Sequence, residues 1–411
     1  MTHHFFRDPR TVQRLHEGPL GPYIDAFAAE MHAEGYAQQT AELQIRLVAD
    51  FSHWLAKRRI PAPEITADHF PSYLRSRAQY RRPGRSDRAG LKRLWNLLHR
   101  QGVVPDPSVP APTPADQLHD TFRRYLRLER ALAPATLVSY LGFAGEFLTA
   151  RFGAGPVDLT SLCAADVTGF VQRRAATLRS KRVQVMTSAL RAFLRFARYR
   201  GELPTDLAAC VPAVASWSLS AVPRALPPGQ VERVLAACNR QTAVGRRDYA
   251  ILLLLARLGL RAGEIATLTL EDLDWQAGVL TVRGKGGRAS QLPLPVAVGE
   301  ALAAYLQDGR PRGASRYVFL RGRAPVVSFK GSPAIDSIVK HALARAGIDA
   351  PRKGAHQFRH SLACQLLRHG ASLAEIGELL RHRSPQTTAL YAKVDLAALA
   401  PLALAWPGGA R

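Results

Sequence analysis

Tyr391, near the carboxyl end of the chain, follows His382 by nine residues in the stretch RHRSPQTTALY. Its phenol could act as a nucleophile, but with a reference pKa of about 10 it would need positive charge or a proton acceptor nearby. Arg381, His382 and Arg383 lie close enough in the sequence to supply both. A tyrosine beside a helix is more commonly a packing residue, so its role depends on which other residues the fold brings near it.

The segment HQFRHSLACQLL (356–367) offers a histidine and an arginine on one helical face. His356 and Arg359 are three residues apart, and this spacing places both side chains on the same side of a helix. His356 and His360 are four apart, which is also the histidine spacing of zinc metalloproteases. That motif has glutamate directly after the first histidine as general base, whereas this chain has Gln357. We therefore predict no metal site here.

Arg261 lies between Gly259 and Gly263 in the stretch GLRAGE, at a predicted junction between two helices. Glycines at such a junction would let main-chain amides and the guanidinium group face outward together. Glu264 lies three residues further on the same helical face, where it would either orient the guanidinium group or be solvated. Taken in isolation, the segment is more typical of a surface arginine.

Lys285 lies in RGKGGR, at the glycine-rich turn of a predicted β-hairpin spanning residues 277–295. A lysine in such a turn is most often solvated. The same position would also let a mobile ammonium group enter a DNA groove and donate a proton to a leaving oxygen. The stretch lacks the G-x-x-x-x-G-K-[ST] spacing of a P-loop, so we predict no nucleotide site.

Helical patterns surround this hairpin and must position the four candidate segments. They are predicted at 229–238, 244–260, 296–306, 333–346, 355–369 and 372–381. Ser384 followed by Pro385 predicts one more helix start, with serine as the N-cap and proline at the first helical position. Tyr391 would then lie about two turns into that helix. This part of the chain is predicted to be mainly α with a small antiparallel sheet.

Two proline-rich stretches, 104–114 and 211–229, are typical of linkers. They divide the chain into three predicted domains. These are an amino-terminal helical module at 1–103, a second helical module at 115–210, and a final domain at 222–411.

The first two modules share similar segments in the same order. RAGLKRLWNLLHRQGVVPD (88–106) aligns with TSALRAFLRFARYRGELPTD (187–206), and both are amphipathic helices that stop at glycine and then proline. TAELQIRLVADFSHWL (40–55) aligns with TLVSYLGFAGEFLTA (136–150). Any two small helical bundles could share such features, but the ordered series favours a tandem duplication of one all-helical module.

The composition favours a polyanionic partner. Lys+Arg 56 against Asp+Glu 32 gives a formal net charge of +24, which predicts salt-sensitive binding to nucleic acid. A membrane surface, or solubility alone, is the alternative explanation of this charge. The four cysteines form no C-x-x-C pair, the amino terminus lacks a secretory signal, and no apolar run is long enough to span a bilayer. We expect a reduced, cytoplasmic protein.

Six residues of the final domain match the pattern of one enzyme family in type, order and spacing. They are Arg261, Lys285, His356, Arg359, His382 and Tyr391. The chain resembles the tyrosine recombinases, or phage-integrase-type recombinases, and in particular those of bacterial transposable elements. The family pattern is an arginine in a GLR-x-x-E junction, a lysine in a β-turn, an H-x-x-R helix, a histidine or tryptophan, and then a tyrosine. The resemblance is close in the final domain and weaker in the second module.

This resemblance implies both the fold and the reaction. Two SAM-like helical DNA-binding modules would precede a mixed α/β catalytic domain with a small antiparallel sheet. Tyr391 would attack a DNA phosphodiester and form a 3′-phosphotyrosyl bond, without metal, ATP or any other cofactor. Lys285 would protonate the leaving 5′-oxygen as general acid.

The resemblance also implies roles for the other matching residues. Arg261 and Arg359 would bind the non-bridging phosphate oxygens, whose negative charge grows in the transition state. His356 would assist proton transfer around the tyrosine, and His382 would hydrogen-bond the phosphate. Glu264 is expected to be structural.

The implied partners are double-stranded DNA with a specific recombination site and further copies of the chain. A homotetramer on synapsed DNA is expected, together with related recombinases of the same mobile element, in a bacterial, nucleoid-associated setting of DNA integration or transposition. Two alternatives would share the fold. One is a DNA-binding accessory protein that has lost cleavage, and the other is a type IB topoisomerase that relaxes DNA as a monomer.

Two features depart from the family pattern. Arg381 stands where glycine is common, and we expect it to alter the local turn while leaving the site residues intact. The module at 1–103 is not the small β-rich arm-binding domain of many phage integrases. The apolar tail YAKVDLAALAPLALAW would pack either on its own domain or on a neighbouring subunit.

Overall fold

The structure is a computed structural model. It describes residues 1–82, 84–105, 113–153, 155–215, 225–227, 229–284, 287–350 and 353–394. The described part of the chain is mainly α with one small antiparallel sheet, and this confirms the predicted fold class. The described residues of 1–105 and 219–411 form one compact unit, and those of 106–218 form another. Lys285 and the carboxyl-terminal tail from residue 395 lie outside the described residues.

The amino-terminal module is a helical bundle around its own apolar core. Its helices are α1 (Pro9–Leu15), α2 (Ile24–Ala33), α3 (Gln38–Ala56), α4 (His69–Arg77) and α5 (Arg85–Arg100). Helices α3 and α5 pack against each other and bury Phe51 and Leu94. Gly102, just after α5, has a φ of 66°, a left-handed conformation that glycine adopts without steric cost.

The second module repeats this arrangement around a separate core. Its helices are α6 (Pro114–Arg124), α7 (Pro134–Phe152), α8 (Ala164–Ala175) and α9 (Ser180–Tyr199), with a short π-helical segment (Tyr125–Glu129) after α6. Helices α7 and α9 bury Phe147 and Phe193, which the sequence aligns with Phe51 and Leu94. Gly201 follows α9 with a φ of 76°. This correspondence supports the tandem duplication, which stays a prediction.

The final domain combines helices with a three-stranded sheet. Its elements are α10 (Gln230–Ala236), α11 (Ala243–Arg257), α12 (Ala262–Ala266), β1 (Leu273–Asp274), β2 (Val279–Arg283), β3 (Ala289–Pro293), α13 (Val296–Asp308), α14 (Ser332–Arg345), α15 (His356–Arg368), α16 (Leu373–Leu379) and α17 (Pro385–Thr388). The strands lie in the order β1-β2-β3, and all pairs are antiparallel. Among the described residues, no helix is long and apolar enough to cross a membrane.

Helix α11 carries the most apolar run of the chain because it is surrounded by other elements. It packs against α13, α14 and α15, and Ile251, Leu252 and Leu254 are fully buried. In the hairpin, by contrast, only alternate residues such as Leu280 and Val282 face this core, as expected for a sheet with one exposed face. The predicted β-hairpin is thereby confirmed, with Arg283 paired to Ala289.

The predicted helix start before Tyr391 is correct in position but not in detail. Ser384 is the N-cap of α17 and Pro385 is its first residue, yet the Ser384 side chain makes no capping hydrogen bond. The α-helix ends at Thr388 and continues as a 3-10 helix (Ala389–Val394) that contains Tyr391. Tyr391 thus lies in helical backbone, as predicted, but in its 3-10 part, where the segment packs against α15 and α16.

Candidate active site

Arg261 lies at the junction of α11 and α12, where the chain turns through Gly259. Gly259 has a φ of +57°, and a Cβ atom there would lie 2.7 Å from Leu380 Cδ2. The main-chain N–H of Arg261 donates to Glu264 Oε2 at 2.8 Å. The side-chain Nη1 of Arg261 donates to Glu264 Oε1 at 2.7 Å. The side chain of Glu264 is only 4% exposed, whereas that of Arg261 is 34% exposed. Glu264 is therefore not solvated but orients Arg261.

Arg359, on α15, is buried beside this junction. Its two terminal nitrogens donate to the main-chain carbonyl oxygens of Gly259 and Leu380. Burial lowers the pKa of Arg359 to about 10, and the positive charges of Arg261 and Arg381 act in the same direction. The group stays cationic at neutral pH. A buried cation beside a second arginine is a site that an anion would stabilise.

Tyr391 is only 2% exposed and packs in a small apolar cluster with Ile376 and Leu380. Its hydroxyl group lies 2.9 Å from Nδ1 of His360, which is hydrogen-bonding distance. Burial raises the pKa of Tyr391 to about 12, although the charge of Arg359 opposes this shift. The phenol is thus protonated at neutral pH, and a nucleophilic role would require a proton acceptor beside it. A ring nitrogen of His360 is the group placed beside the hydroxyl group by this contact.

His382 lies between α16 and α17, and its ring is parallel to that of Tyr391 with centroids 6.4 Å apart. Its Nδ1 lies 2.7 Å from Thr388 Oγ1. Burial lowers the pKa of His382 to about 4, and the charges of Arg359 and Arg261 add to this effect. His382 is therefore a neutral imidazole at physiological pH, and one of its ring nitrogens is held by Thr388.

His356 begins α15 and is exposed, one turn before His360. The centroids of the two rings are 6.2 Å apart. Desolvation of the ring and the charge of Arg359 both lower the pKa of His356. Of the two histidines on α15, it is His360 that contacts the Tyr391 hydroxyl group.

The structure thus gathers five of the six predicted site residues around the amino-terminal half of α15. They are Arg261, His356, Arg359, His382 and Tyr391. The sixth, Lys285, lies outside the described residues.

Comparison with known proteins places this site in a family. The model of the phage integrase family matches residues 224–397, and that of the phage integrase N-terminal SAM-like domain matches residues 120–201. The chain is 48% identical over 402 residues to y4rA of Sinorhizobium fredii, which its name describes as an integrase/recombinase. That alignment covers 97% of this chain and 98% of the relative. The chain belongs to the phage integrase family of tyrosine recombinases. It is an enzyme that breaks and rejoins DNA strands.

Two further comparisons agree with this assignment. The recombinase is 29% identical over 282 residues to the tyrosine recombinase XerC of Oceanobacillus iheyensis, covering 67% of this chain and 90% of XerC. Its structure resembles that of the XerH site-specific recombinase bound to palindromic difH substrate, with a TM-score of 0.55 and 16% identity. That match covers 72% of this chain and 98% of XerH, and it supports the predicted fold.

Three residues of the recombinase site carried little or no signal in the sequence. His360 directly follows Arg359, but in the sequence it stood out only as half of a zinc motif. Thr388, which is buried and contacts His382, lies in a polar stretch with nothing to distinguish it. Arg381 was expected to alter the local turn and to be a possible source of positive charge near Tyr391, but nothing in the sequence indicated that its Nη2 donates to Glu264 Oε2 at 3.0 Å.

Proposed function

We propose that this recombinase cuts and rejoins double-stranded DNA at specific sites through a covalent 3′-phosphotyrosyl intermediate on Tyr391. The observation that carries the proposal is the contact of the buried Tyr391 hydroxyl group with His360, beside the cationic Arg359. A tyrosine that only filled the core would need a hydrogen-bond partner for its hydroxyl group, but it would not need a buried cation such as Arg359 beside it.

In the proposed step, the Tyr391 oxygen attacks the scissile phosphorus while the bond from phosphorus to the 5′-oxygen breaks. The phenolic proton moves to Nδ1 of His360, with His356 assisting proton transfer beside it. Lys285 donates a proton to the leaving 5′-oxygen. One phosphoester bond replaces another, so the bond energy is retained for rejoining, and the reaction requires neither ATP nor metal.

Arg261 and Arg359 would bind the non-bridging oxygens, where negative charge accumulates during attack. Preorganised donors of this kind are each worth roughly a hundredfold to a thousandfold in rate. The partly exposed guanidinium group of Arg261 is the more accessible of the two. His382, with Nδ1 accepting from the Thr388 hydroxyl group, would carry its proton on Nε2 and donate it in a hydrogen bond to the phosphate.

The proposed partner is a DNA duplex with a specific recombination site. The net charge of +24 supports binding to a polyanion. XerH, whose fold is similar, is described in complex with its difH substrate after cleavage. We further propose a tetramer on two synapsed sites, because each exchange of a duplex requires four strands to be cut.

A nicked suicide substrate tests the nucleophile. Nicked duplexes drawn from the DNA that flanks the gene should trap a covalent protein–DNA adduct, because the short cleaved fragment diffuses away before rejoining. Tyr391→Phe removes the attacking oxygen but keeps the ring in its apolar cluster, so we expect no adduct. The adduct is measured by its reduced mobility on a denaturing gel.

Three outcomes would contradict parts of this proposal. An adduct that persists in Tyr391→Phe would mean that another residue is the nucleophile. Loss of cleavage on addition of EDTA would favour a metal-dependent mechanism. Relaxation of supercoiled plasmid that lacks any specific site would instead support a topoisomerase.

A further inference from the structure

The carboxylate of Glu264 is shared between two guanidinium groups from distant parts of the chain. Its Oε1 accepts from Arg261 Nη1 at 2.7 Å, and its Oε2 accepts from Arg381 Nη2 at 3.0 Å. The side chain of Arg381 is only 11% exposed, and its Nε has no hydrogen-bond partner among the described residues. Arg381 thus lies inside the site rather than on its surface.

The main chain at Leu380 and Arg381 also contacts the guanidinium groups of Arg359 and Arg261. Its carbonyl oxygen lies 3.4 Å from Arg261 Nη2, and the preceding carbonyl, of Leu380, accepts from Arg359. Its charge acts on Arg359 together with that of Arg261. Three guanidinium groups and one carboxylate therefore form a cluster with two excess positive charges.

The backbone at this position would be better suited to glycine. Arg381 has a φ of 55°, in the left-handed region where a Cβ atom meets steric resistance that glycine avoids. A strained arginine whose side chain is only 11% exposed and is paired at the edge of the candidate active site indicates a role for that side chain.

We infer that Arg381 is a positioning residue that balances the charge of Glu264, so that Arg261 keeps its positive charge for the scissile phosphate. This inference rests on the proposed function. Without Arg381, the negative charge of the buried Glu264 carboxylate would be balanced by Arg261 alone. Arg261 would then have no net positive charge to offer the phosphate. With Arg381, the cluster keeps two excess positive charges. The reacting phosphate also reaches two negative charges, because the phenolic proton leaves as the phosphorus–tyrosine bond forms. The second negative charge is lost when the phosphorus–5′-oxygen bond breaks and the leaving oxygen takes up a proton.

The test is charge compensation in single-turnover cleavage of the nicked substrate. Arg381→Gly restores the residue that the backbone favours, and we expect cleavage to slow by on the order of tenfold to a hundredfold. Adding Glu264→Gln to Arg381→Gly removes the unbalanced carboxylate and keeps its shape. We expect the double variant to regain most of the lost rate. Arg381→Lys, which keeps the charge, should lose less than Arg381→Gly.

Arg383→Gly provides the matched control, because Arg383 is exposed and flanks His382 on the other side. Glu264→Gln should not rescue any defect of Arg383→Gly. A second substrate with a neutral methylphosphonate at the scissile position should reduce the defect of Arg381→Gly to within about threefold, since less charge develops there.

Several results would overturn the inference. They are a double variant slower than Arg381→Gly, equal losses on the charged and neutral substrates, or an Arg381→Gly variant that cleaves at the normal rate. A wild-type protein that forms no adduct would instead contradict the proposed function. Urea unfolding of each variant separates a loss of rate from a loss of folded protein.

Discussion

At Tyr391 the decisive neighbour is the histidine that follows the H-x-x-R motif, not the one that begins it. One turn of α15 separates His356 from His360, and this turn places the first ring at the surface and the second against the phenol. Burial raises the pKa of Tyr391 to about 12, so in the proposed reaction the phenol would have to give up its proton, and His360 lies next to it. We therefore predict that proton removal depends on this one side-chain contact.

His360→Ala should slow formation of the covalent adduct by about a hundredfold or more, because general-base assistance is typically worth that much. His360→Gln keeps a polar acceptor near the phenol and should lose less. The rate is measured in single turnover with the nicked substrate across a range of pH. His369→Ala is the control, since His369 is exposed at the other end of α15 and its ring Nδ1 lies 2.7 Å from the carbonyl oxygen of Gln365. Equal rates in the two alanine variants would exclude His360 as the acceptor.

The junction between α11 and α12 is the element that brings Arg261, Glu264 and Arg359 together. Gly259 permits its turn, and the Gly259 carbonyl accepts from Arg359, which ties the junction to α15. The end of α16 is tied to the same guanidinium group through Leu380. A short turn therefore connects three helices, and its geometry determines the position of both predicted phosphate-binding arginines.

Gly259→Ala should destabilise this domain by about 1–2 kcal/mol, because alanine resists the left-handed conformation and its Cβ would crowd Leu380. Gly263→Ala, four residues on in α12, is the control. A Cβ atom there would have no described heavy atom within 4 Å, and alanine favours helix by about 1 kcal/mol. Urea unfolding should show opposite shifts of the midpoint for the two variants. Equal midpoints would mean that the turn tolerates a side chain and does not depend on glycine.

In the whole molecule, the amino-terminal module and the final domain belong to one compact unit, although the second module separates them in sequence. The main-chain N–H of Val326 donates to the carbonyl oxygen of Glu34 at 3.0 Å, and Gly35 lies against the Val326 side chain. The sequence predicts three domains in series and gives no indication of this contact. The domain boundaries at 1–103, 115–210 and 222–411 stay a prediction.

Deleting residues 1–103 should reduce both the affinity for DNA and the dependence of affinity on salt. The slope of log affinity against log salt should fall by about 0.9 for each DNA phosphate that this module neutralises in the full-length protein. A second variant, Arg81→Ala with Arg82→Ala, removes two exposed charges from the same module without disturbing its contact with Val326. Binding is measured by titration at several salt concentrations. An unchanged slope in the deletion would mean that this module does not touch DNA.

The sequence by itself determined the residue types, their order and most of the elements that carry them. Helical periodicity located α11, α13, α14 and α15, and alternation located the hairpin, because these patterns reflect the geometry of local hydrogen bonding. The order of arginine, histidine and tyrosine types was enough to indicate the family. Even a flanking signal such as Ser384–Pro385 placed the start of the last helix correctly.

Only the tertiary structure decided which of these side chains touch. His360 contacts Tyr391 across 31 residues, and Arg381 reaches Glu264 across 117 residues. Such contacts depend on how α12, α15 and α16 pack, and periodicity contains no information about packing angles. Arg381 is a second example of what local sequence cannot predict. Its φ of 55° is a left-handed conformation for which local propensity favours glycine, not arginine. The charge of a buried carboxylate, visible only in three dimensions, explains the arginine.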